Sequence, residues 1–423
     1  MANEQPPNQS PLSLPPTFPP GVDPQTYKLK EVEYLFDQSA FVNMFTTSLP
    51  NRPGMPAPNT RSAAPNLAGS TRISAPLQRF YIDVVTSSNG IGLRANNTAG
   101  PSRACMMFRW MVVPDDFYAA PDRVPPPTPL DVQHSQRFTM LDSTFTFDEE
   151  GQNRFHGFGT GRTFPVVIGG ERRLYLGAIG NIMEGFGVFA GAEGAYVING
   201  YVTPPDGLSM QVLLRIVNPS SDLLATSELS SLEPLPEPAP DSTYMTLLGV
   251  ADPDHPLQQH FAPNGQLQGA TVHELMRLVH LDFDQGISGT RLRTYKTVGP
   301  IVATLRTDLR FNPFDPRTPG TALAPVPWGT RDTTITFLDR QGKATGTLEA
   351  NIVEGWGFLT QLAGAPMPVF RLLGFGPFVR STGQLAGVEG MFSVNAFISV
   401  FPGAFSNLYV FRFVDPDRRF RLH

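Results

Sequence analysis

The stretch GFGVFAGAEGAYVINGYV, Gly185 to Val202, returns in the second half of the chain as STGQLAGVEGMFSVNAFIS, Ser381 to Ser399. Gly187, Ala190, Gly191, Glu193, Gly194 and Asn199 are answered by Gly383, Ala386, Gly387, Glu389, Gly390 and Asn395. Two further matches keep the same order. Upstream, STFTFDEEGQ from Ser143 is echoed by TTITFLDRQGK from Thr333, each a strand-like alternation running into a turn. Downstream, LLRIVNP from Leu213 is answered by VFRFVDP from Val410, with Arg215 matching Arg412. Three collinear matches make the chain an internal duplication, so any fold assigned to it has to be built twice.

Between the copies, PSSDLLATSELSSLEPLPEPAPDS is rich in Ser, Glu and Pro and has little to bury, as a linker does. The expected division is a Pro-rich arm at residues 1–25, a first domain at 26–218, a linker at 219–242 and a second domain at 243–423. With 43 prolines in 423 residues, long helices and central strands are disfavoured through much of the chain. Short runs of alternating residues broken by Gly and Pro favour a mainly β protein, read as two tandem antiparallel β-barrels with a few short helices. Helix-like spacing is found at YKLKEVEYLFDQSAFVNMF, Tyr27 to Phe45, and at TVHELMRLVHL, Thr271 to Leu281. ACMMFRWMVV from Ala104 and RFYIDVV from Arg79 read as strands, with counterparts starting at Ala303 and Leu292.

Charge and composition remove several functional classes. A formal net charge of -5 offers no broad positive field for a phosphate backbone, so nucleic acid is not expected as a partner. Cys105 stands alone, which suits a reducing compartment. The polar, proline-rich start lacks the basic and apolar regions of a signal peptide, and no apolar run is long enough for a membrane helix; the chain is read as soluble and cytoplasmic. GFGTGR, Gly157 to Arg162, lacks dinucleotide-fingerprint spacing, and His273, Glu274 and His280 lie at the wrong separation for two zinc ligands on adjacent helical turns. No metal or cofactor is expected.

The pattern G-x-G-x-F-x-x-A-x-G formed by Gly185, Gly187, Phe189, Ala192 and Gly194, kept in part by Gly383, Leu385, Val388 and Gly390, resembles the glycine-rich hairpin of the allene oxide cyclase and dirigent-protein β-barrel superfamily. Without any family, the glycines have a mechanical reading: a small closed sheet needs sharp bends, and glycine supplies the backbone freedom for them, with Phe189 or Leu385 plugging the barrel end. The resemblance implies a barrel whose lumen holds an apolar small molecule. It further implies a cofactor-independent cyclase or isomerase of natural-product biosynthesis. The alternative is a non-catalytic carrier, or a structural or assembly protein with filled barrels. Two fused barrels also resemble a dimer, and a homo-oligomer is an open partner class.

Candidate catalytic groups on this reading are Glu193 and Glu389, as general acids if desolvated, and Arg215 and Arg412, as clamps for a developing oxyanion. Tyr196, Asn199, Tyr201 and Asn395 are candidates for substrate binding by stacking or hydrogen bonding. Each has a plainer reading as a rim carboxylate, an outer-face arginine, an outward asparagine or a core aromatic. Parity separates them: Tyr196, Ile198 and Gly200 share one face of the strand, and Glu193, Val197, Asn199 and Tyr201 share the other. The fuller glycine pattern points to the first copy as the one holding a pocket.

Overall fold

In the computed structural model the described residues are 41–48, 61–62, 70–87, 90–96, 104–112, 135–146, 154–168, 171–203, 207–217, 242–279, 281–286, 289–294, 301–315, 320–322, 324–360, 369–399 and 405–414. The expected arm at 1–25 and residues 219–241 of the expected linker lie outside them, while its last residue, Ser242, already begins a strand. The first half contributes β1 (Phe41–Ser48), β2 (Arg61–Ser62), β3 (Ser70–Ser87), β4 (Gly90–Asn96), β5 (Ala104–Val112), β6 (Gln136–Thr146), β7 (Arg154–Ile168), β8 (Glu171–Phe186), β9 (Glu193–Thr203) and β10 (Gly207–Val217). The second contributes β11 (Ser242–Ala251), β12 (Gln258–Phe261), β13 (Leu267–Val279), a separate hairpin of β14 (Leu281–Gly286) and β15 (Gly289–Thr294), and β16 (Ile301–Phe314). It continues with β17 (Val326–Leu338), β18 (Ala344–Ala350), β19 (Glu354–Thr360), β20 (Val369–Ser381), β21 (Glu389–Ser399) and β22 (Phe405–Val414).

Among the described residues every strand pairing is antiparallel. In the first sheet the order runs β1-β10-β9-β8-β7-β6-β5-β3, and β1 pairs back onto β3, so eight strands close a barrel. The second sheet repeats the order as β11-β22-β21-β20-β18-β17-β16-β13, with β11 pairing onto β13 as well and β19 bridging β17 and β20. Register repeats along with order. Tyr196 stands opposite Leu214 and Phe392 opposite Phe411; Asn181 stands opposite Ala195 and Pro377 opposite Met391; Met106 stands opposite Phe145 and Leu305 opposite Ile335.

The glycine signature builds one turn twice. Gly187 and Gly383 have φ of 63° and 62°, and Gly191 and Gly387 have φ of 73° and 81°, in the left-handed region that side chains with a Cβ avoid. Each turn carries a short 3-10 segment, Gly187–Phe189 or Gly383–Leu385, with Ala190 N–H donating to the Gly187 carbonyl and Ala386 N–H to that of Gly383. Phe189 and Leu385 point inward and are fully buried.

Several expectations are corrected. Among the described residues there is no α-helix, only such 3-10 turns. Of the helix expected over Thr271–Leu281, the residues up to Val279 belong to β13, Leu281 opens β14 and His280 lies outside the described residues: Val272, Glu274 and Met276 are buried while Thr271, His273, Leu275 and Arg277 are half-buried, a period of two imposed by β-pairing on both edges. Of Tyr27–Phe45, the described part begins β1, a strand, and the rest lies outside the described residues. By register the counterpart of β3, which contains Arg79 to Val85, is β13, whereas Leu292 falls in β15; the pairing of Ala104 with Ala303 holds.

The outward faces of β8, β9 and β10 are covered by the outward faces of β20 and β21. Asn199 on β9 donates from Nδ2 to the carbonyls of Met391 (3.0 Å) and Val410 (3.1 Å). Asn395 on β21 donates to those of Ala195 (3.1 Å) and Leu213 (3.5 Å). Around this pair, the Phe375 ring lies over Gly177, Phe158 stacks on Trp356 at 5.1 Å between ring centres, and Arg137 pairs with Glu354, both almost wholly buried.

Candidate functional site

The sequence-derived candidates separate into three places. Glu193 and Glu389 are exposed at the first positions of β9 and β21; partial desolvation raises the Glu389 carboxyl above its usual range. Arg215, Arg412, Asn199 and Asn395 are fully buried, on the outward parity that meets the other half. Arg215 donates from Nη1 to the Asn395 carbonyl at 3.0 Å and lies 4.1 Å from the centre of the Phe397 ring; Arg371 lies over the same ring at 4.6 Å and donates to the Arg215 carbonyl. Burial first, and then repulsion from Arg371, hold the Arg215 pKa well below its ordinary value. Tyr196 points the other way, into the first barrel, and the side chain of Tyr201 lies outside the described residues. These eight residues therefore do not converge on one chamber.

The first barrel's interior is filled by hydrophobic side chains. The Tyr196 ring lies against Gly157 and Gly180, where a Cβ would strike it, with its hydroxyl beside Gly159, and against Phe145 at 5.0 Å between ring centres. Phe145 stacks on Phe155 at 4.6 Å, and Phe155 meets Phe189 edge-on at 5.4 Å. Glycines on β7 and β8 thus make room for one large aromatic residue.

A different group stands inside the second half. Glu274, in the middle of β13, is 2% exposed. Its Oε1 accepts hydrogen bonds from Asn407 Nδ2 (2.7 Å) and the Tyr409 hydroxyl (2.8 Å), both on β22. Oε2 is buried with no hydrogen-bond partner and is directed at Gly249 on β11, where a Cβ would overlap it. Gly249 is what lets a carboxylate occupy this position. Burial drives the Glu274 pKa up to about 7, with the two hydrogen bonds opposing the rise, and burial beside Glu274 pushes the Tyr409 hydroxyl well above its usual value. At the matching register of the first sheet the chain has Ala75, Met210 and Val212 in place of Glu274, Asn407 and Tyr409.

Chemically, this is a carboxyl group poised to change protonation state near neutral pH. With Oε1 occupied by two donors, the proton of the neutral acid belongs on Oε2, the atom free to donate it. Sequence reasoning missed Glu274 because HELMRLV fits a helix; the available signal was a charged residue flanked at i−2 and i+2 by Val272 and Met276. Among the described residues, no group of three or more His, Cys, Asp or Glu is placed to hold a metal ion, and no helix is long and apolar enough to cross a membrane. No protein-family model, curated protein or solved structure matches the chain.

Proposed function

We propose that the two halves are tandem barrels of one duplicated kind, similar to the allene oxide cyclase and dirigent-like architecture, and that the protein binds an apolar small molecule within the second. The chemistry assigned to it is cofactor-independent acid–base catalysis of an isomerisation or cyclisation, in a cytoplasmic protein of natural-product biosynthesis. One observation carries this reading: a fully buried carboxylate with one oxygen doubly hydrogen-bonded and the other without a partner. A protein built only for packing would gain stability by replacing such a group with a hydrophobic residue, because a buried acid with an unsatisfied oxygen is costly. Glu274 would give its Oε2 proton to a ligand oxygen, and Asn407 and Tyr409 would stabilise the carboxylate through Oε1. The same carboxylate would then take a proton from a ligand carbon, restoring the acid. The apolar walls would hold a flexible substrate in a reactive conformation.

The second reading is a non-catalytic assembly or carrier protein with filled barrels, and it is favoured by the aromatic packing around Tyr196 in the first half. Native mass spectrometry of the purified protein decides between the two. The catalytic reading expects a co-purifying apolar molecule that is retained by the wild type and turned over less by Glu274→Gln. An empty protein, with Glu274→Gln more stable and otherwise unaltered, overturns it in favour of the second.

A further inference from the structure

The seam between the halves has a symmetric centre and an asymmetric surround. At the centre, the donors Asn199 and Asn395 are register mates, and so are their acceptors, Ala195 with Met391 and Leu213 with Val410. Even the orphaned atoms match, since Oδ1 of each asparagine is buried without a hydrogen-bond partner. Residue i meeting j while j's mate meets i's mate is the signature of a two-fold, self-complementary contact between identical subunits.

The surround breaks that symmetry. Gly177 stands opposite Asn199 and Leu373 opposite Asn395, so Leu373 is the second half's version of Gly177. Phe375 lies against Gly177, where even a Cβ would strike its ring, and two second halves facing each other would meet with leucine at that point. The Arg137–Glu354 pair behaves the same way. By register the mate of Arg137 is Pro327 and that of Glu354 is Thr160, so two first halves would bury Arg137 without this carboxylate and two second halves would bury Glu354 without this arginine.

We propose that this face is a dimer contact carried within one chain and made heterotypic, so that a first half recognises any second half, whether from its own chain or from another copy, and rejects its own kind. The linker then supplies proximity alone, and two copies of the chain can exchange halves.

The test uses the whole protein with a protease site placed in the 219–242 linker. After cleavage in the folded state, the two fragments are expected to co-elute as a one-to-one pair. When two cleaved preparations with different tags are mixed, exchanged pairs should contain one first and one second half. Asn199→Ala and Asn395→Ala should each speed exchange by about tenfold and to a similar extent, since each strips donors from two buried carbonyls. Gly177→Leu should speed it more. Fragments that part on cleavage, pairs of like halves, or an effect of one asparagine without the other would overturn the proposal. Because Gly177→Leu could prevent folding, the asparagine comparison is decisive by itself.

Discussion

The two halves share strand order, register and the glycine turn, but they fill their interiors differently. In the first, β7 runs unbroken from Arg154 to Ile168, and Gly157 and Gly159 together with Gly180 clear space for the Tyr196 side chain. In the second, the corresponding strand is split into β18 and β19; Ile352, between them, packs inward against Gly374, and Phe392 stands in place of Tyr196. The glycine that matters there is Gly249, whose missing Cβ accommodates a carboxylate. Duplication preserved the framework set by hydrogen-bond register and left the interior free to diverge, because a buried site tolerates whatever fills its volume and satisfies its polar atoms.

The largest effect is expected from removing the first half's plug. Tyr196→Ala empties the space beside three glycines that cannot fill it, and should cost ~3–5 kcal/mol of stability by denaturant titration. A loss below ~1 kcal/mol would mean that the first interior is not organised around this ring.

Next comes the pH dependence that the second half alone should supply through Glu274. Its folded pKa of about 7 lies above the ordinary value of 4.5, so at low pH the carboxyl is neutral in both states and adds no pH-dependent cost. As pH rises from 4.5, the unfolded chain ionises and the folded one does not, so stability falls until pH 7 and is level above it. The difference corresponds to ~3 kcal/mol at most. Glu274→Gln should remove this slope, making the variant more stable than wild type at pH 8 and nearly equal at pH 4. Equal slopes in melts of both proteins between pH 4 and 8 would remove Glu274 from the account.

Gly249→Ala tests the same site from the opposite strand. The added methyl would overlap Oε2 and approach Tyr409 Cε2 at 2.9 Å, so the carboxylate has to shift from its donors, at a cost of ~1–3 kcal/mol. Combined with Glu274→Ala, the penalty should largely vanish, and a double-mutant cycle measures that coupling.

What could be read beforehand divides along physical lines. The turn at Gly187 and Gly383 was legible because a φ near +60° nearly demands glycine, and the strand alternation of LLRIV and VFRFV was legible because one face is apolar. The seam was not. Parity set Val197 and Asn199 on the face opposite Tyr196, and nothing in a strand's own sequence says that a second sheet will cover it; the small or apolar Ala195, Val197, Met391 and Ser393 were the available hint. Arg215 and Arg412 mislead for the same reason, being charged and yet fully buried. At β13, Val272, Leu275, Met276 and Val279 satisfy a helical period as well as a strand would, and the residue that breaks the strand alternation is Glu274 itself. Local rules failed at the position proposed to do the chemistry, as they tend to at functional sites.

The smallest expected effect is the sharpest for the comparison. Tyr409 and Val212 are register mates, so Tyr409→Phe moves the second half one step toward the first without opening a cavity. The hydroxyl donates to Oε1 and opposes the rise in the Glu274 pKa, so its removal should move the carboxyl's titration midpoint upward from about 7. The ionised form, left with Asn407 alone, should be destabilised by ~1 kcal/mol above that midpoint, while stability at pH 4 changes much less. Carbon-13 detection of the labelled glutamate carboxyl reads the midpoint directly and separates the two roles open to Tyr409. A ring that only packs leaves the midpoint in place, whereas a donor to Oε1 moves it up. A downward move would mean that Tyr409 holds the neutral acid instead, which would place the mobile proton on Oε1 and take away the chemistry assigned to Oε2.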